Sequence, residues 1–119
     1  MPDIGVLKTL VPDQDQLMIL TQLPGFDEKT FLYFLGQYLS RDVDSTVRPS
    51  RQELVKEFIE LYLLFPYGEG LREWLINTTI PNKLLLRYRS YGVTPAEAEQ
   101  LFQRGIMSAD AIENEVPND

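Results

Sequence analysis

The sequence predicts an all-α fold, a single domain of about six or seven helices arranged around a central buried helix at residues 50–65. Three observations predict it. Helix caps and apolar periods near 3.6 residues recur along the chain, and no alternating strand pattern does. Glycine and proline fall mostly between these periodic segments, where they punctuate turns. A length of 119 residues with 44% hydrophobic content is enough for one buried core and leaves little for a second.

The first twelve residues carry Ile4, Val6, Leu7, Leu10 and Val11 between two prolines. They are read as an apolar N-terminal arm lying extended against its own domain, with a second copy of the chain as the other surface it could cover. The helical domain proper is expected over 13–115. Asp13 is a candidate N-cap for a helix running to Leu23, stopped by Pro24-Gly25. Leu17, Met18, Ile19 and Leu20 run together there without a clean period, so a buried strand is the competing reading. Residues 27–40 form a clearer amphipathic helix. Phe31, Leu32, Phe34, Leu35, Tyr38 and Leu39 share one face, and Gly36 suggests a close crossing by another helix. Residues 41–48 are polar and read as a loop. Its Asp42, Asp44 and Ser45 lack the glycine and the final glutamate that a calcium-binding loop needs.

The central segment, SRQELVKEFIELYLLF, opens on Ser50 as N-cap, with Glu53 placed to complete a capping box. At 100° per residue, Leu54, Val55, Phe58, Ile59, Leu61, Tyr62, Leu63 and Phe65 make one apolar arc. That arc is wider than a surface helix needs, so the segment should be surrounded. Pro66 ends it. Leu71, Trp74 and Leu75 then mark a short helix, and residues 81–91 a longer one closed by Gly92. Thr94-Pro95-Ala96-Glu97 opens the next with an N-cap, a proline at the first helical position and a box glutamate. Gly105 is placed as its left-handed C-cap, Ser108 caps a last short helix, and 116–119 should fray.

Composition excludes several chemistries. The chain has no cysteine and no histidine, which removes disulfides, thiolate or imidazole metal ligands and histidine-based triads. Neither cofactor nor metal is expected. The N-terminus lacks a basic segment followed by a long apolar core, and a cytoplasmic location is expected. A formal charge of −7 disfavours generic binding to nucleic acid or anionic membranes. Catalysis would rest on carboxylates such as Glu53, Glu57 and Glu60. Their stripe opposite the apolar arc has the pattern of a solvated helix face, so no catalytic residue is assigned.

One stretch departs from the acidic average. Between Glu73 and Glu97 there is no acidic residue, while Lys83, Arg87 and Arg89 share one helix. On the wheel, Leu84, Leu85, Tyr88 and Tyr91 take the core side, and Leu86 falls among the cations. A leucine ringed by positive charge suits an acidic or amphipathic protein partner. The leading expectation is therefore a soluble protein-interaction module without catalytic activity, an adaptor, regulator or assembly subunit, binding through Lys83, Leu86, Arg87 and Arg89. The alternative is a nucleic-acid-associated domain using the same cations with Arg104. Residues 101–112, LFQRGIMSADAI, resemble a helix-hairpin-helix DNA-binding unit in their helix, Gly-hydrophobic turn and helix. That family's second glycine is replaced here by Met107, and Asp110 and Glu113 follow, so no functional residue is carried over. A carboxylate-dependent enzyme is the remaining alternative.

Overall fold

Short polar side chains at the expected positions start the helices. Asp13 accepts from the backbone N–H groups of Asp15 and Gln16, Ser50 from that of Glu53, and Ser108 from that of Ala111. Thr94 and Glu97 form a reciprocal capping box with Pro95 at the first turn. The computed structural model describes residues 5–41, 50–65, 68–76 and 78–116. Among these the elements are all helical: α1 (Gly5–Leu10), α2 (Gln14–Thr21), α3 (Glu28–Arg41), α4 (Arg51–Tyr62), α5 (Leu71–Leu75), α6 (Asn82–Ser90), α7 (Pro95–Gln103) and α8 (Ala109–Glu115). The loop with Asp42, Asp44 and Ser45 lies outside the described residues.

The central position of α4 follows from its broad apolar arc. It packs against α3 on one side and α6 on another, while α3 also meets α5. Val55, Phe58, Ile59, Leu61 and Tyr62 are buried along it. Phe58 is fully buried, with its ring 5.3 Å from both Phe31 and Tyr38 and 6.0 Å from Tyr62. The tilted pairs with Phe31 and Tyr38 join α3 to α4. Leu63 departs from the predicted arc. The α-helix ends at Tyr62, the chain turns at residues 63–65, and Leu63 is left 38% exposed while Phe65 is buried.

Two other expectations are corrected, and one choice between readings is decided. The N-terminal arm is helical rather than extended over Gly5–Leu10, and it packs on α2, with Leu7 and Val11 buried in the core. Over the Leu17–Leu20 run the helix capped by Asp13 forms and the competing buried strand does not: only Leu20 is buried, while Met18 and Ile19 are more than half exposed, because a helix turns successive residues away from a single neighbour. Gly36 marks no close crossing: a Cβ added there would meet nothing within 4 Å.

A polar tie closes the fold between α3 and α6. Asn82 is fully buried at the start of α6 and donates through Nδ2 to the Tyr38 carbonyl at 2.9 Å. That carbonyl belongs to the last turn of α3, whose acceptors need partners from outside the helix. Arg41 spreads its guanidinium over Asn82 Oδ1 at 2.7 Å, the Ile80 carbonyl at 2.7 Å and the Thr78 carbonyl at 3.1 Å. The connection into α6 is thereby fastened to the end of α3.

Candidate functional site

Helix α6 presents three kinds of surface. Asn82, Leu85 and Tyr88, spaced three residues apart, are its buried line. Tyr88 donates through its phenol to the Ile106 carbonyl at 2.6 Å, and burial pushes its ionisation up, so the proton stays on the donor. Arg87 donates to the neighbouring Met107 carbonyl at 2.7 Å. Together they clamp the α7–α8 turn against α6. That turn is a Schellman motif: Gly105 has φ 75°, and Ile106 N–H reaches back to the Leu101 carbonyl at 2.9 Å.

An open hollow of about 460 Å³ lies between α4, α6 and the start of α8, lined by Glu57, Lys83, Leu86, Arg87, Ser90, Tyr91 and Ala109. Three of the four residues predicted for partner binding, Lys83, Leu86 and Arg87, meet here. Lys83 is exposed and has no hydrogen bond or ion pair with any described residue. Leu86 is only half-buried, but it packs against the core rather than standing clear of it. The reason is that α6 is flanked on two sides, by α4 and by the α7–α8 turn, which widens its buried arc beyond the Leu85–Tyr88 line.

Arg89 does not join the hollow. Its Nη2 donates to the Leu64 carbonyl at 2.7 Å, and its Cζ lies 4.4 Å from the centre of the Phe65 ring. This guanidinium caps the chain leaving α4 and stacks on an aromatic side chain, a structural use of the cation. Arg104, the additional cation of the nucleic-acid alternative, forms a two-armed pair with Glu115 across the α7–α8 hairpin, at 3.1 and 3.2 Å.

Sequence reasoning missed three of the lining residues. Glu57 shares a stripe with Glu53 and Glu60 that has the pattern of a solvated face, yet it is half-buried and accepts from the Tyr38 phenol at 2.6 Å. Tyr91, on the core side of the wheel, does pack half-buried against the core, but it also lines the hollow. Ala109 arrives there from a separate helix, and no local pattern signals such a meeting.

No residue cluster suited to holding a metal ion is present among the described residues, and no described helix is long and apolar enough to cross a membrane. No protein-family model, characterised protein or solved structure matches the chain, so the reading of this hollow rests on its own residues.

Proposed function

We propose that the protein works as a protein-interaction module whose α6 hollow receives an acidic, amphipathic segment of a partner. The observation that carries this reading is the meeting of Lys83 and Arg87 with the apolar surface of Leu86 and Tyr91 in one open depression. An apolar side chain of the partner covers Leu86 and Tyr91, and its neighbouring carboxylates face Lys83. Glu57, held by the Tyr38 phenol, offsets one of the two cations and leaves the lining with a net positive charge. On a chain of net charge −7, a local positive rim is what allows an acidic segment to approach. The nucleic-acid reading is less well supplied, because Arg89 lies outside the hollow over the Phe65 ring and the charge of Arg104 is paired with Glu115.

The test compares capture from the native source by the wild type and by Lys83→Glu. Lys83 is exposed, so its substitution leaves folding intact. The expected outcome is a retained protein with an acidic segment, whose binding falls roughly tenfold in the variant and weakens moderately with salt. Capture undiminished by Lys83→Glu contradicts the reading. So does retention of nucleic acid with an affinity that falls steeply with salt.

A further inference from the structure

A second cavity, of about 200 Å³, lies between α5, α6 and α7 and shares no residue with the α6 hollow. Its inner wall is apolar, formed by the buried residues Trp74, Ile80 and Leu85. Two carboxylates stand at its outer part: Glu73 is exposed and Glu99 half-exposed. No lysine or arginine lines it. Glu99 is fixed in place by Thr78, whose hydroxyl donates to Oε1 and in turn accepts from the Ile80 N–H at 3.2 Å. The second oxygen of Glu99 has no partner among the described residues. Arg41 donates to the Thr78 carbonyl but does not line the cavity.

We propose that this cavity binds a primary ammonium group carried on a short apolar group. The apolar group enters against Trp74, Ile80 and Leu85, where it leaves water without burying a charge. The ammonium stays at the mouth, still partly hydrated, and donates to Glu73 and to the open oxygen of Glu99. The volume is below that of drug-sized pockets, which run from about 300 Å³ upward, and it suits a group of four or five carbons. An anionic ligand of the same shape is excluded by the two carboxylates. The chemistry has two sources, a small apolar amine or the free N-terminus of a peptide that begins with an aliphatic residue. The inference stands independently of the α6 hollow.

Trp74 is the single tryptophan of the chain and lines this cavity, so a ligand that enters should perturb its emission. The full-length protein is titrated with n-butylammonium, with n-butanol as the neutral counterpart, and with Leu-Gly-Gly bearing a free or an acetylated N-terminus. Emission and the NMR shift of the Trp74 indole N–H are followed together. n-Butylammonium is expected to saturate both signals with a Kd on the order of 1 mM, a value compatible with so few ligand atoms. Butanol, and n-butylammonium with the Glu73→Gln/Glu99→Gln variant, should bind at least roughly tenfold more weakly. If free Leu-Gly-Gly binds and its acetylated form does not, the site takes peptide N-termini; if only n-butylammonium binds, it takes small amines. The proposal is overturned if neither signal saturates, if butanol and n-butylammonium bind alike, or if the double variant binds as the wild type does.

Discussion

Asn82 shows how one side chain can hold two elements in place. It is the one buried polar residue in the described core, and it is spent twice, donating to the Tyr38 carbonyl and accepting from Arg41. Replacing it with Ala removes the donor to a buried carbonyl and the acceptor for a guanidinium. A hydrogen bond contributes about 0.5–1.5 kcal/mol net, and about 1.5–3 kcal/mol when one partner is charged. Asn82→Ala is therefore expected to lower unfolding stability by about 2–4 kcal/mol, measured by urea denaturation. A loss under about 0.5 kcal/mol would show that the tie between α3 and α6 contributes little. Leu86 teaches a related lesson. Because it packs partly on the core, Leu86→Glu should destabilise the fold as well as disturb the hollow, so Lys83 is the better probe of binding.

At the scale of the element, two features of the helices have measurable consequences. Gly36 lies inside α3 with open space where a Cβ would go, and it carries no positive φ. Gly36→Ala is expected to raise stability by about 0.5–1 kcal/mol, since Ala is the better helix former and restricts the unfolded chain. A loss of stability would mean that a neighbour approaches α3 more closely at this position. The helix starts also make stability depend on pH. The Thr30 hydroxyl and N–H hold the Asp27 carboxyl below its ordinary pKa, and the Thr94 N–H and hydroxyl do the same for Glu97. The unfolded chain therefore binds more protons in the carboxylate range, and stability rises with pH there. The contribution of these caps is fully present above the ordinary carboxylate values and is lost as pH falls through the lowered folded ones. Thermal scans from about pH 6 down to pH 3 should show Tm falling, with a shallower slope for Asp27→Asn and Glu97→Gln. Slopes identical to the wild type would show that these caps do not set the pH dependence.

The whole molecule divides what the sequence reveals from what it hides along the line between local and distant contacts. Ser50, Thr94, Gly105 and Ser108 announce helix ends because each acts on backbone groups within a few residues of itself. Phe58 and its arc announce the core because burial follows the period of a single helix. Arg41 with Asn82, Arg89 with Leu64 and Glu57 with Tyr38 join residues 41, 25 and 19 positions apart, which no local period encodes. The first helix stayed hidden for a similar reason. Residues 5–10 carry no capping side chain and make too short a segment to show a period, and their apolar spacing suits several conformations. Of the predicted surface, Lys83 and Arg87 are legible from charge and wheel position, but the packing of Leu86 on the core, the loss of Arg89 and the arrival of Tyr91 and Ala109 depend on which helices become neighbours.

Whether the α6 hollow docks an acidic segment is decided by amide NMR. The isotope-labelled protein is titrated with the acidic segment of the partner that it captures. The expected result is a set of shifts centred on Lys83, Leu86, Arg87 and Tyr91 that disappears in Lys83→Glu. Shifts centred instead on the exposed Met18 and Ile19 of α2, or a pattern that Lys83→Glu leaves unchanged, would contradict it.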